Sequence, residues 1–171
     1  MIPDVLPPAP LSQRHDLSVF RNGRQPSLDD WLKTRARLSE GWSARTYIVT
    51  PAQEPNCAIG YHCLCTAMIE RAQLPSAKLR RDMPDPLPMM LIGRLAIDQN
   101  WQKRGLGSAL LVDAIRRCVA ASQIIGARGI IAHAIDNDAE NFYQRHGFLV
   151  TPVERLMLLP METAGMLIAK A

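Results

Sequence analysis

Hydrophobic residues are spaced along the chain in two different ways, and this spacing predicts alternating helices and strands. Leu28, Trp31 and Leu32 recur at the three- and four-residue interval of one helix face, after a capping box that begins at Ser27. In the segment 58–69 apolar residues fall at every second position, as in a half-buried strand. The full predicted order is helix 28–38, strands 45–50, 58–69 and 89–98, helix 108–125, strand 128–134, short helix 136–145 and final strands 148–150 and 156–159.

The order of these elements predicts one mixed α/β sheet flanked by helices. The strand 89–98 is apolar at nearly every position, which is typical of a central strand covered on both faces. The segment 74–88 is charged and rich in proline, so we expect a loop there. With no repeat and no linker, the sequence predicts a single domain over 16–171 and a flexible, proline-rich lead-in over 1–15.

Composition and charge narrow the class of protein. The chain has 171 residues and a formal net charge of +4, which permits a polyanionic partner without requiring one. No apolar run approaches the ~18–20 residues of a membrane span, and the N-terminus does not resemble a signal peptide. We therefore expect a cytoplasmic protein that does not associate with a membrane. The cysteines lack metal-ligand spacing, so neither a metal site nor a disulfide framework is predicted.

The most informative motif lies between the strand 89–98 and the long helix. The segment 102–107 reads Q-K-R-G-L-G, a basic and glycine-rich turn at a helix N-terminus. Such a turn directs backbone N–H groups and the positive end of the helix dipole at one point, which favours a pyrophosphate. The alternative is an ordinary helix-start turn. Neither the Walker A spacing nor the Rossmann spacing is present.

Three segments together resemble the GNAT superfamily of N-acetyltransferases. The Q-x-x-G-x-G turn is similar to the acetyl-coenzyme A loop of these enzymes, and 139–148 is similar to their A-x-x-F-Y-x-x-x-G-F signature. The segment 91–98, L-I-G-R-L-A-I-D, resembles a narrower group, the acetyltransferase toxins of bacterial toxin–antitoxin pairs, as do Gly23, 28–32 and 43–47. Lys103 departs from this group, which often has glycine at that position.

The resemblance implies a fold, a cofactor and a set of contacts. It implies the GNAT fold, in which acetyl-CoA lies in a splay between two central strands and pairs with the strand backbone. The side chains of that strand are otherwise plain core. The cofactor-binding residues implied are Leu95, Ala96, Ile97, Gln102, Lys103, Arg104, Gly105, Leu106, Gly107, Ser108 and Asn141.

Tyr143 is the candidate general acid for the departing coenzyme A thiolate. A tyrosine of ordinary pKa, about 10, is neutral at pH 7 and can donate to a thiolate whose parent pKa is about 8.5. The alternative is an aromatic residue packed beside Phe142. No residue is assigned as the base, because a water relay or an already neutral amine would suffice.

The narrower resemblance also implies a substrate and partners. The toxins of this group acetylate the α-amine of aminoacyl-tRNA, which blocks translation, and a ribbon-helix-helix DNA-binding antitoxin neutralises them. It further implies a homodimer. A tRNA substrate requires a basic surface beyond the cofactor, although such charges are also found on ordinary solvated faces. Arg94 differs from the others because a charge in an apolar strand needs a partner or a phosphate. The candidate tRNA-binding residues are Lys33, Arg35, Lys78, Arg80, Arg81 and Arg94.

Two other functions remain compatible with the sequence. One is a housekeeping N-acetyltransferase acting on a small-molecule amine or a protein amine. The other is a coenzyme A-binding regulatory module without catalysis, against which the intact loop and Tyr143 argue.

Overall fold

The computed structural model describes residues 4–171 and contains one mixed, seven-stranded sheet. The strands lie in the order β1-β2-β3-β4-β5-β7-β6. The pair β4–β5 is parallel, and the pairs β1–β2, β2–β3, β5–β7 and β6–β7 are antiparallel. The strands are β1 Ala9–Pro10, β2 Arg45–Val49, β3 Gly60–Ile69, β4 Leu87–Ile97, β5 Gly129–His133, β6 Leu149–Val150 and β7 Leu156–Pro160. The helices are α1 Pro26–Thr34, α2 Ala36–Ser39, α3 Ala77–Arg80, α4 Leu106–Ser122, α5 Asn137–Arg145 and α6 Met161–Lys170. No helix among the described residues is long and apolar enough to cross a membrane.

The chain divides into two compact units. The first contains the residues up to Cys65 together with Gly93–Ala114, and the second contains Thr66–Ile92 together with Ile115–Ala171. The strands β3 and β4 and the helix α4 each contribute residues to both units.

The core of the first unit is built around one tyrosine. The Tyr61 ring is fully buried, stacks on Trp31 at a centroid distance of 5.9 Å and meets the edge of Phe20 at 5.6 Å. Its hydroxyl donates to the carbonyl of Leu28 at 2.8 Å, which satisfies its only polar atom. This tyrosine therefore fixes α1 against β3. A second apolar cluster holds the start of α4, through Leu106, Leu110 and Ile97.

The core of the second unit lies on β4, β5 and β7. Buried Leu87, Met89 and Ile131 pack together with Leu156 and Leu158. The strand β5 pairs with β7 over its whole length, from Gly129 opposite Pro160 to His133 opposite Leu156. These contacts explain why β5 is apolar at nearly every position.

The structure differs from the sequence predictions at several element ends. Helix α1 begins one residue before Ser27, because Pro26 occupies its first turn and Gln25 is the N-cap, so the predicted capping box is wrong. The segment predicted as a loop contains α3, and β4 already begins at Leu87. The C-terminal helix α6 was not predicted.

The N-terminal segment also differs from a lead-in. Within it, β1 pairs with β2, and Leu11 and His15 are buried. Arg37 donates hydrogen bonds to the carbonyls of Ser12 and His15, which fixes this segment to α2. Residues 1–3 of the predicted lead-in lie outside the described residues.

Gly129 provides a test of the packing between β5 and β7. A Cβ at this position would lie 2.7 Å from the Leu159 carbonyl oxygen and 3.3 Å from the Pro160 Cα, both backbone atoms. We expect Gly129→Ala to lower the free energy of unfolding by about 1–3 kcal/mol, because the strands must move apart. Urea unfolding monitored by circular dichroism measures this change.

Gly126→Ala is the matched control, because a Cβ there meets nothing within 4 Å. We expect its free energy of unfolding to change by less than about 0.5 kcal/mol or to rise, since alanine restricts the unfolded chain. Equal destabilisation by the two variants would contradict the close approach of β7 to β5.

Candidate functional site

The C-terminal half of β4 extends past its pairing with β5. The parallel ladder joins Met90, Leu91 and Ile92 to Ile130, Ile131 and Ala132, whereas β4 continues to Ile97. Leu95, Ala96 and Ile97, the strand residues predicted to bind the cofactor through their backbone, all lie in this extension. Their side chains are buried or half-buried in the first unit, so a ligand there would meet mainly the strand backbone.

Two side-chain amides hold the end of β4. The carbonyl of Ile97 accepts hydrogen bonds from Asn22 Nδ2 at 3.1 Å and from Gln102 Nε2 at 3.0 Å. Gln102 Nε2 also donates to the carbonyl of Asn22 at 2.7 Å, and the backbone N–H of Asn22 donates to Asp29 Oδ1 at 2.8 Å. The side chain of Gln102, predicted to bind the cofactor, thus attaches the glycine-rich turn to β4 and to α1.

The Asp98 carboxylate fixes the chain between β4 and the turn. Its Oδ2 accepts from the backbone N–H of Arg21 at 3.0 Å, and its Oδ1 accepts from that of Asn100 at 2.9 Å. It therefore caps the 3₁₀ turn Gln99–Trp101. Because both oxygens accept backbone hydrogen bonds in a buried position, this carboxylate has a structural role.

The backbone of the turn has the geometry of an anion-binding loop. Lys103 has a φ of +61° and Gly105 a φ of +82°, both in the left-handed region. Alternation of such residues directs successive N–H groups toward one point, and α4 begins immediately afterwards. Gly107 and Ser108 lie in the first turn of α4, while the side chain of Leu106 is buried and anchors it.

The residues of the turn also fit a pyrophosphate chemically. Lys103 and Arg104 are exposed, and the Arg104 guanidinium lies 5.0 Å from the Trp101 ring centroid. This cation–π contact orients one positive charge beside the turn. Nothing lies within 4 Å of the Cβ position of Gly105, which leaves room for a ligand close to the backbone. These features fit the pyrophosphate of coenzyme A.

Tyr143 and Asn141 lie on α5, in the second unit. Asp136 caps this helix by accepting from the Ala139 N–H at 2.8 Å. The Tyr143 ring is buried and packs at 5.4 Å from Phe142 and 5.2 Å from Phe148, measured between centroids. The predicted packing role is therefore present. Its role as general acid stays a prediction, as does the cofactor contact of the exposed Asn141.

The predicted tRNA-binding residues occupy several different elements. Lys33 on α1, Arg35 between α1 and α2, Lys78 on α3 and Arg81 after it are exposed. Arg80, in contrast, is half-buried and donates to the carbonyl of Leu74 at 2.8 Å, so it also stabilises the segment around α3.

Arg94 has a partner inside the first unit. Its guanidinium lies 4.6 Å from the centroid of the Trp31 ring, which stacks on Tyr61. This cation–π contact partly compensates for the cost of placing a charge in an apolar strand. Burial raises the pKa of the neighbouring Cys63 thiol to about 12. Burial likewise raises the pKa of Tyr61.

Sequence reasoning did not identify the residues that position the turn. Asn22 and Asp98 form contacts with partners 75 and 77 residues away along the chain. The local signals were present, since Asn22 precedes Gly23 as in a turn and Asp98 precedes a helical turn as a cap. Among the described residues, no group of three or more His, Cys, Asp or Glu could hold a metal ion.

The fold and the cofactor loop define an acetyltransferase. A family model described as an acetyltransferase (GNAT) domain matches residues 54–150, and the chain belongs to this family. The predicted fold, the enzyme class and the cofactor are thereby confirmed: the protein is an acetyl-CoA-dependent N-acetyltransferase.

Relatives of known structure or function are consistent with the narrower resemblance. A protein of Mycobacterium tuberculosis (strain ATCC 25618 / H37Rv), named tRNA-acetylating toxin, is 39% identical over 162 residues, which are 94% of this chain and 95% of that protein. The structure of AtaT complexed with acetyl-methionyl-tRNAfMet is 28% identical, with a TM-score of 0.87, covering 96% of this chain and 99% of that one. A tyrosine-to-phenylalanine mutant of the AtaT toxin, bound to the C-terminus of the antitoxin AtaR and acetyl-CoA, is 26% identical, with a TM-score of 0.79, covering 97% and 99%.

Gly105 tests the role of the left-handed turn. We expect Gly105→Ala to destabilise the turn by about 1–2 kcal/mol, because a Cβ disfavours positive φ even where space is open. Acetyl-CoA affinity should fall correspondingly, by about 5- to 30-fold. Isothermal titration calorimetry with acetyl-CoA measures it.

Gly105→Asn separates backbone conformation from side-chain bulk. Asparagine adopts left-handed φ more readily than alanine, so we expect it to retain most of the affinity. An asparagine variant as weak as the alanine variant would show that bulk, not φ, is the constraint.

Proposed function

We propose that this protein transfers an acetyl group from acetyl-CoA to the α-amine of aminoacyl-tRNA and thereby blocks translation. The observation that carries the proposal is the 39% identity with the tRNA-acetylating toxin over nearly the full length of both chains. The likeness to AtaT in complex with an acetylated aminoacyl-tRNA supports it independently.

The reaction replaces the carbon–sulfur bond of the acetyl thioester by a carbon–nitrogen bond. Acetyl-CoA supplies an activated thioester; the amine nitrogen bonds to its carbonyl carbon while the carbon–sulfur bond breaks. The amine loses one proton, and the sulfur gains one. The α-amine of an aminoacyl ester has a lowered pKa because of the adjacent ester, so a substantial fraction is neutral and nucleophilic without a dedicated base.

The chain's own residues meet the two remaining requirements. A backbone N–H in the extension of β4, among Leu95, Ala96 and Ile97, polarises the thioester carbonyl. Tyr143 donates the proton that the sulfur gains. The turn 102–105 and the first residues of α4 hold the pyrophosphate, and Asn141 bonds to the cofactor arm. The side-chain amides of Asn22 and Gln102, which both donate to the Ile97 carbonyl, keep this backbone in place.

Basic residues outside the cofactor loop bind the phosphates of the tRNA. The exposed cations Lys33, Arg35, Lys78 and Arg81 carry this role, with support from Arg80 and Arg94. A ribbon-helix-helix antitoxin neutralises the enzyme, as the AtaT complex with the C-terminus of its antitoxin suggests by analogy. We also propose that the active form is a homodimer and that the enzyme acts in the cytoplasm, on its tRNA substrate.

The test is acetyl transfer from radiolabelled acetyl-CoA to charged and uncharged total tRNA. We expect label on charged tRNA only. We expect Tyr143→Phe to lower kcat by about 10²- to 10⁴-fold, because the thiolate then leaves unprotonated, and to leave acetyl-CoA affinity unchanged.

Tyr47→Phe is the matched control, since it removes a hydroxyl from a half-buried tyrosine on β2 and should keep full activity. Label on small amines but not on tRNA would replace the proposal with a housekeeping acetyltransferase. Tight acetyl-CoA binding without turnover on any amine would identify a regulatory module instead.

A further inference from the structure

Helix α2 and the turn that follows it expose two large apolar side chains, Leu38 on the helix and Trp42 in the turn. Trp42 is 92% exposed and Leu38 is 72% exposed, more than any other tryptophan or leucine among the described residues. An indole so far out of the core contributes almost nothing to folding, because it buries almost no surface. The packing of the first unit therefore does not explain this residue.

The backbone holds Trp42 in a defined position. The carbonyl of Ser39 accepts hydrogen bonds from the N–H groups of Trp42 at 3.0 Å, Ser43 at 3.1 Å and Ala44 at 3.2 Å. Gly41 closes the turn with a φ of +82° and donates to the Ala44 carbonyl at 3.1 Å. The indole consequently projects from an ordered turn, so little backbone entropy is lost when it meets a partner.

The surroundings of this indole are basic. The Arg45 guanidinium lies 3.2 Å from the position that a Cβ would take at Gly41, against the turn, and its side chain is 64% exposed. Lys33 on α1 and Arg35 between α1 and α2 are exposed in the segment that leads to the turn. Glu40 is the acidic residue of the turn, and it accepts from the Thr46 N–H at 2.8 Å while pairing with Arg45 at 3.8 Å. An aromatic face beside several cations suits a nucleic acid better than an apolar protein surface.

The turn is separated from the cofactor loop by the length of one element. Asn22 and Asp29 attach the N-terminal end of α1 to the loop, and the nine residues of α1 then rise by about 13 Å. The strand β2 gives a second path: its Val49 end pairs beside Ile59, whose carbonyl accepts from Asp98, and its five residues span about 13–16 Å to Arg45. Both paths separate Trp42 from the cofactor loop by about the length of one element.

We propose that Trp42 stacks on a base of the tRNA away from the acetylated end, with Arg45 and Arg35 on the adjacent phosphates. This inference rests on the proposed function. Stacking on an aromatic face is a common way to hold an unpaired base, and it reads shape rather than sequence. The contact would anchor the tRNA body while the cofactor loop acts on its end.

The experiment measures binding of charged total tRNA to the full-length protein by fluorescence anisotropy and by quenching of indole fluorescence. We expect Trp42→Ala to weaken binding by about 5- to 100-fold, the effect of losing one stacked base. Trp42→Phe should stay within about threefold of wild type, because it keeps an aromatic face. Leu38→Ala, which removes exposed apolar surface without an aromatic ring from the helix before the turn, is the matched control and should bind as wild type does.

Two further readouts identify the type of contact. Trp42→Ala should leave the salt dependence of binding unchanged, whereas Arg35→Ala should reduce its slope by about one ion. Quenching by tRNA should disappear with Trp42 and persist in Leu38→Ala. The thermal unfolding midpoints of Trp42→Ala and Leu38→Ala should equal that of the wild-type protein, since both side chains are exposed.

Each alternative outcome has its own meaning. Wild-type tRNA binding and acetylation with an unaffected Trp42→Ala variant would overturn this inference alone. Absence of tRNA binding by the wild-type protein would overturn the proposed function itself. A loss of self-association or of antitoxin binding in Trp42→Ala, with tRNA affinity intact, would assign the turn to a protein partner and overturn stacking.

Discussion

The cofactor loop depends on one carbonyl group, that of Ile97, and on the two amides that bind it. Asn22 and Gln102 come from opposite sides of β4 in the sequence and meet at this oxygen. The strand end, the start of α1 and the glycine-rich turn are thus held by three hydrogen bonds, including the one from Gln102 to the Asn22 carbonyl. A partly buried carbonyl with two donors is well satisfied, and loss of either donor costs about 1 kcal/mol or more. Preorganisation of this kind is what a binding loop requires.

Local patterns predicted the central elements well, because their signals are contained within each segment. Helix α4, predicted at 108–125, spans Leu106–Ser122, and β5, predicted at 128–134, spans Gly129–His133. The turn before α4 was also recognisable from its glycines and charges. In contrast, β1 has two residues and exists only because β2 lies beside it, and α6 contains Gly165, which weakens its helical signal. Whether such elements form depends on tertiary packing, which local sequence patterns do not contain.

The positions of the site's supporting residues could not be predicted, because they depend on contacts between distant parts of the chain. The sequence left two partners possible for Arg94, and the structure supplies the Trp31 ring. Arg37 and Arg80 look like free cations in the sequence, yet both donate to backbone carbonyls. Lys103 has a φ of +61°, a conformation that disfavours a side chain, and no local pattern in the sequence predicted it. Charge alone therefore overestimates the surface available for RNA.

The Asn22–Gly23 dipeptide makes the support of the cofactor loop chemically labile. Asparagine followed by glycine is a sequence in which the side-chain amide is readily hydrolysed, because glycine hinders the neighbouring backbone nitrogen least. The product would be a carboxylate, which has no proton to give the Ile97 carbonyl and would repel it. The reaction expels ammonia to form a cyclic imide with the Gly23 nitrogen, which water opens to aspartate or isoaspartate, so a change at one residue would loosen the support of the cofactor loop. Aged preparations of this protein should be compared with fresh ones by mass before their activities are compared.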